Sequence, residues 1–378
     1  MIKVGIICEF NPIHAGHIYL FDKVRKKYGK DCALICIMSG NFTQRGLPAI
    51  YPKYKRAEAA LLCGANAVFE LPFPWCSAPA PFFAKAGVTV AKALGCDVLA
   101  FGSESGDIGE LKTARANLDS EGFKAFLESK NTENKRTSVS HTRTLISAYR
   151  EFYEADLLTG ANNTLALEYL SAASDMEVFT VKRDGIATAS GARNDIIYER
   201  ESHSVPEKAK AVFEELKPTD YKAFDLVSFA FMREHAPREL ARFADGAGGL
   251  AGALFRQAGK CKIPDDFFAS AADKKHTASR VRRFILACMC QVTPQMWESS
   301  PTFTCLLAAD AKGRAAMQDH SLGFGIVTKP ASYKALPMEA VRIFEKGTYA
   351  DSLFGISAGE SADDALRKTP FIRLDNAE

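Results

Sequence analysis

No stretch of this 378-residue sequence reaches the length of about 20 apolar residues that a membrane-spanning helix needs. The opening MIKVGIICEF carries one lysine and a short apolar run, and no small-residue cleavage site follows it. We interpret it as a first strand and not as a signal peptide. Excess charge of one sign is also lacking, since 48 Lys and Arg face 45 Asp and Glu. These absences predict a protein outside the membrane and, by default, in the cytoplasm.

Paired cysteines of the CxxC type are missing, although the chain contains 10 cysteines. The usual spacing of a structural zinc site is therefore absent, and we predict no metal ligands among the side chains. Most of the cysteines lie in apolar segments such as LICIM and FILACMC. Such positions are typical of buried free thiols in a reducing compartment.

The first half of the chain does contain an alternation of short apolar runs and helical patterns. Strands are predicted at 4–8, 32–38, 67–72, 97–104 and 177–183, and helices at 17–28, 53–63 and 81–94. Strands that are apolar throughout and alternate with helices predict an α/β fold, with a parallel sheet covered on both faces.

The second half differs from the first. Residues 184–204 are predicted to form a loop, and from about 206 onward the sequence predicts mostly helices. The segment 205–220 is the best candidate for a domain junction. We therefore predict an N-terminal α/β domain, 1–205, and a mostly helical C-terminal domain, 206–378.

Polar segments follow the predicted strands at the points where the strands end: NPIHAGH, SGNFTQRG, ELPFPW and GSES. In parallel α/β sheets, ligands bind beyond the carboxyl ends of the strands. These four segments therefore lie where a ligand is expected to bind.

NPIHAGH combines a turn with two imidazoles at the start of a helix. Pro12 fixes the turn, and Gly16 allows the backbone to approach a ligand closely. A helix N-terminus attracts phosphate, and His14 and His17 can donate hydrogen bonds to phosphate oxygens as charge develops in a transition state. A metal site would need a third ligand, which this pair does not supply. Two loop histidines with purely structural partners are the other interpretation.

This arrangement resembles the HxGH signature of the nucleotidyltransferase superfamily, which is related to class I aminoacyl-tRNA synthetases. Further segments narrow the resemblance to the tRNA(Met) cytidine acetate ligase family: GIICEFNPIHAGH, SGNFTQRGLPAIYPKYKRAEAALLCGANAVFELPFPW, FGSES, NNTLALEYL and VKRDG. The resemblance implies a Rossmann-like nucleotidyltransferase domain and an enzyme. In that family ATP and acetate give acetyl-adenylate and pyrophosphate, and N4 of the wobble cytidine of elongator tRNA(Met) takes the acetyl group.

Two other functions share parts of this pattern. A small-molecule adenylyltransferase has the HxGH motif but needs no large helical second domain. A non-catalytic tRNA-binding relative would have lost part of the phosphate site. Acetate, tRNA(Met) and ATP are the partners that the resemblance implies, with Mg²⁺ expected beside ATP, whereas the oligomeric state is not predicted.

The resemblance also implies which residues bind ATP. His14 and His17 lie on the phosphates, within an ATP-binding stretch from Ile7 to Leu20 that also contains Cys8, Glu9, Phe10, Asn11, Pro12 and Gly16. Beyond that stretch the matching positions are Gly102, either Asn162 or Asn163, and Arg183. The family usually has a Ser-Ala-Ser/Thr-x-Ile-Arg clamp after the arginine. Here TASGARNDI stands nearest to it, with Ser190 and Arg193, so the clamp is either remodelled or degenerate.

Other positions are supported by their chemistry. A polar loop after the second strand and the start of the next helix could hold triphosphate or RNA backbone, through Asn41, Gln44, Arg45, Lys53, Lys55 and Arg56. For the two lysines a solvated helix face is an equal alternative. Glu70 could bind magnesium, although a structural hydrogen bond is the favoured interpretation.

The basic run KKHTASRVRR, residues 274–283, is a candidate contact for tRNA. Resemblance to the family's basic C-terminal helix extends over this run. The positions concerned are Lys275, Arg280, Arg282 and Arg283. Contacts of this kind to phosphate are sensitive to salt and carry little sequence information. A solvated amphipathic helix is the competing interpretation.

Overall fold

The structure is a computed structural model that describes residues 1–134, 141–155, 160–183, 188–200, 202–273 and 276–373. Lys275, one of the predicted RNA contacts, lies outside the described residues. The strands are β1 (Lys3–Cys8), β2 (Ala33–Ser39), β3 (Ala67–Leu71), β4 (Val98–Ser103), β5 (Glu177–Lys182), β6 (Phe303–Ala309), β7 (Gly325–Val327) and β8 (Phe371–Ile372).

The helices alternate with the strands in the first half and dominate the rest. They are α1 (Ala15–Tyr28), α2 (Lys53–Leu62), α3 (Ala80–Ala93), α4 (Ile108–Asp119), α5 (Glu121–Asn134), α6 (His141–Tyr153), α7 (Ala161–Ala172), α8 (Ala189–Ile197), α9 (Glu207–Phe213), α10 (Tyr221–Glu234), α11 (Pro237–Leu240), α12 (Leu250–Lys260), α13 (Pro264–Ala271), α14 (Ala278–Met289), α15 (Pro294–Glu298), α16 (Ala311–Ala316), α17 (Met338–Ala358) and α18 (Asp364–Arg367).

The first five strands form a parallel sheet in the order β5-β4-β1-β2-β3. β1 lies in its centre and pairs with β2 over its whole length, from Lys3 opposite Ala33 to Cys8 opposite Met38. The carboxyl ends of the strands therefore meet at one edge. The predicted parallel α/β sheet is confirmed, and its five predicted strands are present within a residue or two of their predicted bounds.

Three strands from the second half extend this sheet. β6 pairs antiparallel with β3, and β7 and β8 pair parallel with β6. The prediction of a mostly helical second half did not include them. β6, FTCLLAA, is buried along its whole length, and a short apolar run of this kind cannot be distinguished from a buried helical segment by periodicity alone. The division into domains 1–205 and 206–378 stays a prediction.

Two hydrophobic clusters cover the two faces of the sheet, as the period-two alternation along β1 requires. Val4 and Ile6 face one cluster, which includes residues of α1, α2 and α9. Ile7 faces the other, larger cluster, which continues from α3 and α7 into the C-terminal helices. Among the described residues, no helix is both long and apolar enough to cross a membrane.

The predicted loop over 184–204 is wrong for its middle part, because α8 occupies residues 189–197. Thr188 caps this helix, and its side chain accepts a hydrogen bond from the backbone N–H of Gly191 at 3.1 Å. Threonine is a good N-cap because its hydroxyl satisfies a backbone donor of the first turn. The TAS sequence is therefore a helix start.

Candidate functional site

A cavity of about 460 Å³ opens at the carboxyl ends of the central strands, between α1, α7 and α8. Most of the residues predicted for the ATP site line this cavity. Those lining it are Ile7, Cys8, Glu9, Phe10, Asn11, His14, Gly16, His17, Leu20, Gly102, Asn162, Arg183, Ser190 and Arg193. Pro12 and Asn163 were also predicted but are not part of the lining.

The turn after β1 holds the two histidines against each other. His14 is the N-cap of α1, and its Nδ1 accepts from the backbone N–H of Gly16 at 3.1 Å. The backbone N–H of His14 donates to Nδ1 of His17, also at 3.1 Å. Both rings therefore take part in a capping box, and their centroids are 3.9 Å apart. Phe10 packs edge-on against the ring of His17 at 4.9 Å.

These hydrogen bonds assign the tautomer of each ring. Nδ1 accepts in both histidines, so in the neutral ring the proton is on Nε2. Burial, followed by the charges of Arg183 and Arg193, lowers the pKa of His14 to about 4. Burial, His14 and Arg183 lower the pKa of His17 as well. Near neutral pH the cavity thus contains two uncharged imidazoles, and no backbone group of the described residues accepts from their Nε2–H donors.

Acid is expected to destabilise the folded protein through these rings. The pKa of His14 is about 4 in the folded state and about 6.5 in an unfolded chain. Between these values only the unfolded chain binds the proton, so the free energy of unfolding decreases as the pH falls from 6.5 to 4. His14 alone accounts for at most about 3 kcal/mol of this decrease.

Urea unfolding at pH 7 and pH 4.5 measures this effect. In His14→Ser, which keeps an N-cap oxygen, the decrease between the two pH values is expected to be smaller than in the wild type. A decrease of the same size in both proteins would contradict the assignment.

Asn162 and Asn163, which the sequence could not distinguish, have different surroundings. The Asn163 side chain is buried, and its Oδ1 accepts from the backbone N–H groups of Glu104 and Ser105 at 3.0 and 3.1 Å. Asn162 lines the cavity, where its Nδ2 donates to Glu104 at 2.7 Å and its Oδ1 accepts from Arg183 at 3.4 Å. Asn163 therefore shapes the loop after β4, and Asn162 is the one that faces the cavity.

Two arginines bring positive charge to the cavity. Arg183 follows β5, and its backbone N–H donates to the carbonyl of Ser103 at 2.9 Å. Arg193 lies on α8, and its Nη1 donates to the carbonyl of Asn11 at 2.7 Å. Ser190, in the first turn of α8, lines the cavity as well. The altered clamp sequence thus still places a serine and an arginine beside the histidines, and an anion would meet both cations and the helix N-terminus.

Some lining residues are not predicted individually from the sequence. Gln44 and Arg45 are predicted and do line the cavity, whereas Tyr19, Tyr169, Lys182 and Tyr221 line it without such a prediction. Tyr221 lies more than 200 positions from the histidine turn, at the start of α10. Tyr19, Tyr169 and Lys182 lie within the segments that resemble the family, although nothing in the sequence singles them out as lining residues. Tyr221 lies outside these segments, and only the packing of the helices on the sheet reveals it.

The buried charges near the start of α2 do not line the cavity. Lys53 is buried, and its Nζ contacts Glu70 at 2.8 and 2.9 Å and Asp351 at 2.8 Å. It therefore lies neither on a solvated helix face nor in the lining of the cavity. Glu70 thus makes the structural bond that was favoured for it. Lys55 is on the surface and pairs with Glu58 at 2.9 Å. No cluster of three or more potential metal ligands occurs in the part of the chain that the structure describes.

The arginines of the basic run have partners within the chain. Arg282 donates to Asp225 at 3.0 Å, and Arg283 donates to Asp245 at 2.9 Å. Arg280 donates to the backbone carbonyl of Asp245 at 3.1 Å. All three are half-buried and stabilise the packing of α14 on its neighbours. The structure supports a packing role for them, and their contact with RNA stays a prediction.

Comparison with known proteins gives one consistent family. The family described as "HIGH Nucleotidyl Transferase" matches residues 1–363. The tRNA(Met) cytidine acetate ligase of Lysinibacillus sphaericus is 32% identical over 352 residues, which cover 83% of this chain and 85% of that protein. The protein of the same name from Exiguobacterium is 31% identical over 363 residues, with 91% and 95% covered.

A solved structure has the same fold. It is Thermotoga maritima TmcAL bound with alpha-thio ATP, with a TM-score of 0.91 over 99% of this chain and 100% of that chain. The sequence identity is 24%. Since it covers 99% of this chain, the similarity in fold includes the antiparallel extension of the sheet and the C-terminal helices.

Proposed function

This chain belongs to the HIGH nucleotidyl transferase family, among the tRNA(Met) cytidine acetate ligases, and from that premise we propose that it uses ATP to activate acetate and acetylates a cytidine of tRNA(Met). Acetyl-adenylate is the intermediate, and N4 of the wobble cytidine in the elongator tRNA is the acceptor. A cytoplasmic location fits these substrates.

The paired histidines carry this proposal. Two neutral imidazoles lie 3.9 Å apart at a helix N-terminus, with both Nδ1 atoms fixed by backbone donors. Their remaining Nε2–H donors suit the oxygens of a triphosphate. Arg183 and Arg193 supply the positive charge that ATP needs and that the neutral rings do not.

The reaction has two steps in this proposal. A carboxylate oxygen of acetate attacks the α-phosphorus of ATP, the bond to the β-phosphate oxygen breaks, and pyrophosphate leaves. The N4 amine of cytidine then attacks the acetyl carbonyl, AMP leaves, and the amine loses a proton. The histidines and arginines stabilise the negative charge on the phosphates in the first step, because preorganised donors need no reorganisation as charge develops.

The other lining residues position the nucleotide. Gly102, at the end of β4, lets the backbone approach it closely, and the Asn162 amide offers it a donor and an acceptor. Mg²⁺ is proposed to enter with ATP, since this ion is usually held by substrate phosphates with one or two carboxylates. Glu9 lines the cavity and offers an oxygen ligand of the type Mg²⁺ prefers.

The decisive experiment incubates the purified protein with ATP, acetate and tRNA(Met) and analyses the nucleosides by mass spectrometry. Acetylated cytidine is expected only when all three substrates are present. Exchange of pyrophosphate into ATP is expected to depend on acetate. Unmodified cytidine would overturn the proposal. An adenylylated metabolite formed without RNA would identify a small-molecule adenylyltransferase instead. RNA binding without ATP binding would identify a non-catalytic relative.

We also propose that the arginines of α14 contact the tRNA backbone, and the salt dependence of binding tests this. Each lost phosphate contact is expected to reduce the slope of log K against log salt by about one. Arg282→Gln and Arg283→Gln are compared with Arg256→Gln, an exposed arginine on α12. A lower melting temperature with an unchanged slope would assign the α14 arginines to packing alone.

A further inference from the structure

The loop between β2 and α2, residues 40–52, forms one wall of the cavity. Thr43, Gln44 and Arg45 of this loop line it. The backbone N–H of Gln44 donates to the Glu9 carboxylate at 2.8 Å, so the loop is joined to the segment that follows β1. The position of the loop therefore sets the shape of the cavity beside Glu9.

One carboxylate from the far end of the chain holds both ends of this loop. Asp351 lies on α17, and its Oδ1 accepts from Nδ2 of Asn41 at 2.9 Å, near the start of the loop. Its Oδ2 accepts from Nζ of Lys53 at 2.8 Å, directly after the end of the loop. The backbone N–H of Lys53 also donates to Oδ1 of Asn41 at 2.7 Å. Asn41, Lys53 and Asp351 thus form a closed ring of hydrogen bonds.

Neutralising Lys53 does not require Asp351. Glu70 already contacts Nζ with both of its oxygens, at 2.8 and 2.9 Å. The side chains of Lys53, Glu70 and Asp351 are each only 9% exposed, so the second carboxylate adds a buried negative charge at a considerable desolvation cost. Asp351 differs from Glu70 in that it also accepts a hydrogen bond from Asn41.

The C-terminal helices also touch the loop at other points. Phe42 packs between Phe224 of α10 and Phe354 of α17, with ring centroids 5.3 and 6.5 Å away. The hydroxyl of Thr219 donates to the carbonyl of Ala49 at 2.7 Å. The second half of the chain therefore supports this part of the cavity wall directly.

We propose that Asp351 is a positioning residue for the cavity: through Asn41 and Lys53 it fixes the 40–52 loop and thereby sets the affinity for the nucleotide. The inference rests on the proposed function only for the identity of that nucleotide. Asp351 itself does not line the cavity with Gln44 and Arg45, so its effect on binding passes through the loop.

Reciprocal exchange of the two side chains tests the link. Asn41→Asp alone places two carboxylates face to face, and Asp351→Asn alone removes the charge while keeping the shape. In the double variant, a new amide at position 351 can again donate to a new carboxylate at position 41. The matched control is Lys346→Met, because Lys346 lies on the same helix and donates to the carbonyl of Cys290 at 3.1 Å, away from the loop.

Hydrogen exchange of the ligand-free protein is the first measurement. Both single variants are expected to exchange faster in peptides from 40–52, whereas the double variant and Lys346→Met resemble the wild type there. The second measurement is ATP binding, for which each single variant is expected to lose about tenfold in affinity and the double variant to recover most of it. In pyrophosphate exchange, KM for ATP is expected to increase more than kcat decreases.

Two results would overturn the inference. One is unchanged exchange in 40–52 together with unchanged ATP affinity in the single variants. The other is an equal loss of ATP affinity in Lys346→Met, which would indicate a general loss of stability. A wild-type protein that binds ATP but acetylates no RNA would contradict the proposed function alone, because the exchange and ATP-binding measurements do not involve RNA.

Discussion

Replacing His14 by serine and His17 by glutamine together is expected to lower acetate-dependent exchange between ATP and pyrophosphate by at least about 10³-fold, because each lost donor to a developing charge costs about 10²–10³ in rate. The fold is expected to survive. Serine at the N-cap followed by glutamine three residues later is a common capping box, so the start of α1 keeps the two hydrogen bonds that the histidines now make.

The double variant therefore tests the chemical role of the two histidines while the hydrogen bonds of the helix start are kept. The melting temperature of the double variant is expected to stay close to that of the wild type at pH 7.5, where both rings are neutral and no charge is lost. His320→Gln, at an exposed position in the C-terminal half, is the matched control and is expected to keep full activity. If the double variant exchanged pyrophosphate at the wild-type rate, the histidines would not act on the phosphates.

The largest effect on stability is expected for Arg56→Met. Arg56 is fully buried, and its guanidinium donates to four backbone carbonyls, those of Glu9, Ser39, Gly40 and Tyr51. Burial lowers the pKa of Arg56 to about 10, so the side chain is charged at neutral pH. Its donors join the segment after β1 to the segment after β2, which are two walls of the cavity.

The free energy of unfolding of Arg56→Met is expected to decrease by about 4 kcal/mol, because each buried carbonyl left without a donor costs about 1–3 kcal/mol and some will relax. Urea unfolding followed by circular dichroism measures it. Arg56→Lys keeps the charge but not the planar group of donors, so an intermediate loss is expected. Lys55→Met, on the exposed face one position earlier, is the control and is expected to change stability by about 0.5 kcal/mol or less. An equally small change in Arg56→Met would contradict the role assigned to these bonds.

Local patterns were sufficient for the central sheet and for the histidine turn. β1 to β5 are short apolar runs with helical segments between most of them, and such strands can be stable only when both faces of a parallel sheet are covered. NPIHAGH contains its turn, its cap and its donors within seven consecutive residues. The same density of local signal supported the family resemblance that the comparisons confirm.

Other features depend on partners that are distant in sequence. Arg56 had the same local appearance as Lys55, yet one is buried among carbonyls and the other is on the surface. Asn162 and Asn163 are neighbours with different roles, because only one of them faces the cavity. The α14 arginines formed a basic run in sequence, and their carboxylate partners come from other segments of the chain.

Local sequence patterns were thus sufficient to predict the parallel sheet and the family, and they predict a phosphate site at the carboxyl edge of that sheet. Only the folded chain shows which charged side chains face the cavity, that β6 to β8 extend the sheet, and that Asp351 contacts Asn41 across 310 positions. The physical reason is that backbone periodicity and capping act over a few residues, whereas a buried charge takes whichever partner the folded chain brings within about 3 Å.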